Sequence, residues 1–93
     1  MKFEWDSDKA ARNLAKHGIS LAEAETVFDD PFFLVFPDAL HSIGEMRYLI
    51  LGESDQGRLL IVSYTERGQN TRLISARRAT PKEERKYERE KDY

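Results

Sequence analysis

The sequence predicts an α+β fold in which two N-terminal helices pack on a four-stranded antiparallel sheet and a third helix follows at the C-terminus. Two short segments with capping residues and helical spacing of apolar side chains come first. Four segments rich in Val, Ile, Leu, Tyr and Thr come next, and short glycine-containing connections separate them. The length of 93 residues is that of one domain, so we expect residues 1–93 to form a single unit.

The first predicted helix covers residues 8–17, and Gly18 ends it. The second begins at Ser20, where Ser20 and Glu23 have the spacing of a capping box, and extends to about Phe28. Because only two residues separate the two helices, we expect them to form a helical hairpin on one face of the sheet.

The predicted strands are residues 32–36, 45–52, 58–66 and 71–78. The connections 53–57 and 67–70 have the length of hairpin loops and contain glycine, so neighbouring strands should be antiparallel. Regular alternation along the last strand places Leu73 and Ala76 on opposite faces. The pattern does not decide which of these faces meets water.

The predicted C-terminal helix covers residues 81–89 and has a well-defined start. Thr80 is its N-cap, Pro81 takes the first helical position and Glu83 completes a capping box. The helix has few large apolar side chains, so we expect it to bury little surface in its own domain. The sheet face opposite the hairpin should therefore be available for binding.

Composition excludes several classes of protein. The chain has no cysteine, which rules out disulfides, thiolate zinc sites and iron–sulfur clusters. His17 and His41 are far apart in the sequence without partners at ligand spacing, so we expect neither a metal nor another cofactor. There is no apolar run of the roughly 20 residues that a membrane span requires, and the N-terminus lacks a secretory signal. We therefore expect a cytoplasmic protein that does not bind membranes.

Charge is segregated along the chain, although the formal net charge is only −2. Residues 1–45 hold 4 basic and 9 acidic side chains, whereas residues 46–93 hold 11 basic and 8 acidic ones. Between residues 65 and 78, Arg67, Arg72, Arg77 and Arg78 face only one acidic residue, Glu66. Guanidinium groups bind phosphate oxygens well, so this cluster is a candidate RNA-contact surface. The alternative is a solvated surface with ion pairs to the acidic half.

The side chains present suit RNA cleavage without a metal ion. In that reaction the 2′-hydroxyl attacks the adjacent phosphate, a base removes its proton, cations stabilise the phosphorane and an acid protonates the leaving 5′-oxygen. The catalytic candidates are Glu45, Arg47, Arg77 and His17. The candidates for RNA contact are Lys16, Arg67, Arg72 and Tyr64.

Each candidate also has an ordinary structural explanation. Glu45 and Arg47, two residues apart on a predicted strand, suit either a shared phosphate or a simple ion pair. His17 at a helix C-terminus is favoured as an imidazolium by the helix dipole, or it merely caps the helix before the glycine. A tyrosine in a strand, such as Tyr64, is more often a packing residue than a base-stacking one.

An ordered series of motifs resembles the BrnT toxins of bacterial type II toxin–antitoxin modules. The series covers residues 3 to about 88 and comprises Phe3-Glu4-Trp5-Asp6, Lys16-His17-Gly18-Ile19, Val27-Phe28-Asp29-Asp30-Pro31, Gly44-Glu45-x-Arg47 and Arg72-Leu73-Ile74-Ser75-Ala76-Arg77. No single motif is specific, but their order along the chain is.

The resemblance implies a RelE-like ribonuclease fold, RNA cleavage that inhibits translation, and neutralisation by a BrnA-type antitoxin. RNA, including ribosome-associated mRNA, would be the substrate, and operator DNA would be contacted only through the antitoxin. A homodimer and a heterotetramer with the antitoxin both stay open. The positions that the resemblance marks as functional are Lys16, His17, Glu45, Arg47, Arg67, Arg72 and Arg77. The alternative is a noncatalytic RNA- or protein-binding module on the same scaffold.

Overall fold

The computed structural model describes residues 1–92, which contain three α-helices and a five-stranded mixed sheet. In chain order the elements are β1 (Lys2–Glu4), α1 (Ser7–His17), α2 (Leu21–Glu25), β2 (Leu34–Pro37), β3 (Arg47–Glu53), β4 (Leu59–Arg67), β5 (Asn70–Arg78) and α3 (Pro81–Lys91). Short 3₁₀ turns follow α2 at Thr26–Asp29 and β2 at Ala39–His41. The α+β class is confirmed. Among residues 1–92, no helix combines the length and the apolar character needed to cross a membrane.

The sheet has the order β1-β5-β4-β3-β2, and this corrects the predicted four-stranded antiparallel arrangement. Strands β2 to β5 are antiparallel neighbours, as predicted, but β1 adds a fifth strand parallel to β5. In this pair Lys2 lies opposite Asn70 and Glu4 opposite Arg72. A strand of three residues is too short to show alternation, so the sequence pattern does not reveal it.

A helix side chain completes the hydrogen bonding of β5 where β1 ends. Asn13 on α1 is buried; its Oδ1 accepts from the Ala76 backbone N–H at 3.0 Å, and its Nδ2 donates to the Ala76 carbonyl at 3.0 Å. Nδ2 also donates to the Ile19 carbonyl at 2.9 Å, beyond the end of α1. Asn13 therefore holds α1 along the edge of β5 and brings the terminal His17 beside that strand.

An irregularity in β5 changes which side chains share a face. Ser63 on β4 lies opposite Ser75, whereas the next residue, Tyr64, lies opposite Leu73. Ile74 is thus an extra residue, and a β-bulge of this kind reverses the alternation. Leu73 and Ala76 consequently both lie in the core beneath the helices, which corrects the prediction that they lie on opposite faces.

The second core lies on the other face of the sheet and is built around α3. Tyr87 is 2% exposed and packs with Leu51 and Ile61, while its hydroxyl donates to Asp30 Oδ2 at 2.6 Å. Tyr87 is the only buried residue among the eleven of this helix, so the helix buries little, as predicted, but this tyrosine and its buried hydrogen bond anchor it on the sheet. The helix covers only the Leu51 end of the face and leaves the end near Arg47 open.

Candidate active site

An open cavity of about 370 Å³ occupies the part of the sheet face that α3 does not cover. Its floor consists of apolar and small hydroxyl side chains from β3, β4 and β5, and its rim consists of polar and charged side chains. The floor residues are Leu49, Ile61, Ser63, Ile74 and Ser75, with Ala76 at the edge; the rim residues are His17, Asp38, His41, Arg47 and Arg77. The volume falls in the range of small-ligand sites and accommodates a nucleotide linkage.

Three of the four predicted catalytic residues line this cavity. His17 comes from the end of α1, Arg47 is the first residue of β3, and Arg77 lies next to the end of β5. The β-bulge at Ile74 is what turns Arg77 and Ser75 toward the cavity, since Ala76 between them points into the hairpin core. The fold thus brings a histidine and two arginines from distant parts of the chain to one opening.

Arg77 is held in place by α3. Its Nη1 and Nη2 donate to Glu83 Oε1 at 2.8 Å and Oε2 at 3.0 Å, a bidentate ion pair. Hydrogen bonds from Arg77, together with the charge of this guanidinium and a bond from the Thr80 backbone, lower the pKa of Glu83 to about 2. The same hydrogen bonds raise the pKa of Arg77. The guanidinium is therefore permanently charged, and 41% of the Arg77 side chain is still exposed.

Glu45 lies outside the cavity lining and also outside β3, which begins two residues later than predicted. Its Oε1 is 3.8 Å from Arg47 Nε and its Oε2 is 3.6 Å from Arg67 Nη2. Both distances are ion-pair distances and exceed hydrogen-bond length. Among the described residues, Arg47 Nε is a buried donor without a hydrogen-bond partner. The expected proximity of Glu45 and Arg47 is therefore present, but a bend and not strand alternation produces it.

The remaining predicted arginines lie around the cavity without lining it. Arg67 ends β4, and its side chain is 53% exposed beside Glu45. Arg72 Nη1 donates to Glu4 Oε2 on β1 at 2.8 Å. Arg47 and Arg72 lie opposite the same residue of β4, Thr65, from its two sides, so both occupy one row across the sheet. Arg67 and Arg72 thus each form an ion pair with a glutamate of the acidic half, as the alternative of a solvated surface requires.

Lys16 and Tyr64, both predicted RNA contacts, have very different surroundings. Lys16 lies in a second cavity of about 350 Å³ with Lys9 and Arg12, and this cavity shares His17, Ile74 and Ser75 with the first. Tyr64 is 8% exposed, and it packs in the hairpin core between the rings of Phe28 and Tyr48 at centroid distances of 5.1 and 5.5 Å. Burial also raises the pKa of the Tyr64 phenol. This placement corresponds to the packing alternative, so Tyr64 is not among the residues that face the cavity.

Sequence reasoning missed Asp38 and His41, which both line the cavity. His41 Nδ1 lies 2.9 Å from Asp38 Oδ2 and 3.1 Å from Oδ1. His17 and His41, far apart in the sequence, thus share one site. The Asp-x-x-His spacing in the polar connection before β3 was the available signal. Among residues 1–92, no group of three or more His, Cys, Asp or Glu side chains has a metal-binding arrangement.

Two comparisons with known proteins indicate the same family. A family model described as "Ribonuclease toxin, BrnT, of type II toxin-antitoxin system" matches residues 5–83. The chain is also similar to the solved structure of the Brucella abortus ribonuclease toxin, BrnT, with 29% sequence identity and a TM-score of 0.67. That similarity covers 86% of this chain and 97% of the Brucella chain. No curated protein matches the chain.

The match extends over most of the motifs on which the sequence resemblance depends, from Trp5 to Glu83. It includes the three cavity residues His17, Arg47 and Arg77. The chain therefore belongs to the BrnT family, the ribonuclease toxins of type II toxin–antitoxin systems.

Proposed function

We propose that this protein is an endoribonuclease that cleaves RNA without a metal ion at the cavity and thereby inhibits translation. The observation that carries the proposal is the arrangement of His17, Arg47 and Arg77, which come from three different elements and line one open cavity. A histidine can transfer protons near neutral pH, and two guanidinium groups can bind and neutralise one phosphate. The chain itself therefore supplies an acid and the cations that metal-free cleavage needs.

In the proposed reaction Arg47 and Arg77 bind the scissile phosphate. The 2′-hydroxyl loses its proton to a general base as its oxygen forms a bond to phosphorus, the bond from phosphorus to the 5′-oxygen breaks, and His17 gives its proton to that leaving oxygen. The products are a 2′,3′-cyclic phosphate and a 5′-hydroxyl. The two guanidinium groups stabilise the negative charge that accumulates on the phosphorane. Electrostatic stabilisation of this kind is usually the largest single contribution to catalysis.

Glu45 has a supporting role in this proposal. Its carboxylate lies between Arg47 and Arg67 and outside the cavity lining, which supports a role in orienting Arg47 over a role in removing the 2′-proton. We propose that Lys16 and Arg72 contact the phosphates that flank the cleaved linkage; the support is that Lys16 lines the second cavity and that Arg72 lies in the row of Arg47.

The family implies an antitoxin partner and an RNA substrate. We propose that the antitoxin is of the BrnA type, that it carries the DNA-binding domain, and that operator DNA is contacted only through it. We also propose that the protein acts in the cytoplasm, where mRNA is translated.

The decisive experiment incubates the purified protein with RNA in excess chelator and analyses the fragment ends. We expect ends with 2′,3′-cyclic phosphate, and we expect Arg77→Ala to lower kcat/KM by roughly 10²- to 10³-fold. The matched control is Arg78→Ala, because Arg78 is the next residue of β5 and does not line the cavity. Circular dichroism verifies that both variants fold. RNA left intact by the wild-type protein would refute cleavage and favour the noncatalytic binding module.

A further inference from the structure

The connection between β2 and β3 is tied to the first residue of β3. Asp38 N–H donates to the Arg47 carbonyl at 2.9 Å, and Ser42 Oγ donates to the Asp38 carbonyl at 2.6 Å. Ser42 Oγ in turn accepts from Arg47 N–H at 3.0 Å. These bonds fix the 3₁₀ turn that carries His41 beside the arginine that lines the cavity. The imidazole is thus placed by the backbone, although 64% of its side chain is exposed.

The two histidines stand on different sides of the cavity floor. His17 lies beside β5, because Asn13 holds α1 at that edge, whereas His41 lies on the side of β3. Between them the floor includes Ser63 of β4, the strand that separates β5 from β3. Two strand spacings amount to roughly 10 Å, a gap that admits a ribose and its phosphate between the two imidazoles.

The surroundings of the two rings suit opposite roles in proton transfer. The Asp38 carboxylate, with only 14% of its side chain exposed, accepts from His41 Nδ1–H, and this leaves Nε2 as a proton acceptor. A carboxylate in this position fixes the tautomer and stabilises the imidazolium formed on protonation. His17, the last residue of α1, lies on the opposite side of the cavity floor, from where it can donate a proton to a group bound between the two rings. Arg47 and Arg77 also line this cavity, and Lys9, Arg12 and Lys16 line the second cavity, which His17 shares.

We propose that His41 is the general base and His17 the general acid of the cleavage, with Asp38 as the residue that positions His41. This inference rests on the proposed function. The 2′-hydroxyl proton goes to His41 Nε2 as the 2′-oxygen bonds to phosphorus. The proton of His17 goes to the 5′-oxygen as the bond from phosphorus to that oxygen breaks. The two histidines exchange protonation states, so one proton enters and one leaves the pair in each turnover.

The first test compares His41→Ala with Leu40→Ala. Leu40 precedes His41 in the same 3₁₀ turn and is 85% exposed, so its replacement reports on disturbance of the turn alone. We expect His41→Ala to lower kcat by roughly 10²- to 10⁴-fold, as loss of a general base does, while Leu40→Ala stays within twofold of wild type. Binding of an uncleavable 2′-O-methyl RNA should be the same for both variants.

The second test separates the base from the acid. An RNA whose scissile linkage has sulfur in place of the bridging 5′-oxygen has a leaving group that needs no proton. We expect this substrate to restore cleavage by His17→Ala and not by His41→Ala. Asp38→Asn should lower kcat without changing KM, and it should have no further effect in the His41→Ala background, because Asp38 acts through His41.

Several results would overturn the inference. Wild-type rates for His41→Ala, equal losses for His41→Ala and Leu40→Ala, or weakened RNA binding that accounts for the whole loss would each show that His41 is not the base. Rescue of His41→Ala by the sulfur-containing substrate would reverse the assignment. A wild-type protein that leaves RNA intact would refute the proposed function and this inference together, so the two failures are distinguishable.

Discussion

Replacing Glu83 with glutamine tests whether the bidentate pair with Arg77 stabilises the fold through charge. Glutamine keeps an oxygen that can accept from the Thr80 N–H, which Glu83 Oε1 now does at 2.8 Å, so the cap of α3 is retained. The substitution therefore removes the carboxylate charge and one of the two hydrogen bonds with Arg77. No other contact of the Glu83 side chain has to change.

The expected magnitude follows from the pKa of Glu83. Its fall from the ordinary value of 4.5 to about 2 corresponds to about 3.4 kcal/mol of differential interaction. Because 26% of the Glu83 side chain and 41% of the Arg77 side chain are exposed, solvent screening reduces the contribution to about 1–2 kcal/mol. We expect Glu83→Gln to lower the free energy of unfolding by that amount at neutral pH.

The lowered pKa of Glu83 also determines how the stability difference between wild type and Glu83→Gln changes with pH. A carboxylate whose folded pKa is depressed stabilises the protein above its unfolded pKa, and this stabilisation is lost as the pH falls through the folded value. The wild-type protein should therefore exceed Glu83→Gln by the full amount at pH 7, and by less than half of it at about pH 3. Urea unfolding followed by circular dichroism measures both.

The matched control is Glu84→Gln, because Glu84 lies exposed in the same helical turn, and among residues 1–92 it forms no ion pair. It should change stability by less than about 0.5 kcal/mol. A difference between wild type and Glu83→Gln that stays constant with pH, or that Glu84→Gln reproduces, would refute the electrostatic argument.

Three further predictions concern the core and the RNA contacts. Tyr87→Phe removes the donor to buried Asp30 and should lower the free energy of unfolding by about 1–3 kcal/mol; an unchanged urea midpoint would contradict this. Gly52→Ala would place a Cβ 2.9 Å from Val27 Cγ1, and this overpacking should lower the free energy of unfolding by about 1–3 kcal/mol. Thermal melting should show a lower Tm, and an unchanged Tm would disprove the prediction. Lys16→Ala should reduce the salt dependence of RNA affinity, the slope of log K against log salt, by about 0.7; fluorescence anisotropy measures the slope, and a wild-type slope would exclude a phosphate contact.

Local signals were sufficient to predict most of the helix boundaries. Thr80 accepts from Glu83 N–H while Glu83 accepts from Thr80 N–H, so the predicted capping box is confirmed. Gly18 ends α1 with a φ of +70°, a conformation that glycine adopts without a steric penalty. These features depend on residues within one helical turn of each other, and the sequence contains all of that information.

Features that depend on distant contacts could not be predicted in the same way. Strand β1 exists only because residues 70–72 are available to pair with it. The bulge at Ile74 inserts one residue into β5, but no unusual residue type marks it. The alternation on either side therefore looks continuous in the sequence. The docking of α3 depends on a hydrogen bond from Tyr87 to Asp30, a residue in another part of the chain.

The candidate site likewise combines features that the local sequence predicts with features that depend on distant contacts. The residue types of His17, Arg47 and Arg77 indicated phosphate chemistry, but only the fold shows that they line one cavity. His41 was missed because the Asp-x-x-His spacing indicates a local pair but does not indicate that this connection folds against the open end of the sheet. Tyr64 lies in the hairpin core, which strand alternation alone could not indicate because it does not say which face the helices cover.

The arginines at and around the cavity already form ion pairs with carboxylates of the same chain. Arg77 faces Glu83, Arg47 and Arg67 face Glu45, and Arg72 faces Glu4. A phosphate that binds Arg72 or Arg77 competes with a carboxylate that is already hydrogen-bonded there, so the favourable energy is the difference between two counter-anions. A small free anion gains little from such an exchange, whereas a polynucleotide backbone can make several exchanges at once. In the proposed function, these ion pairs would therefore favour long polyanions over free cellular phosphate.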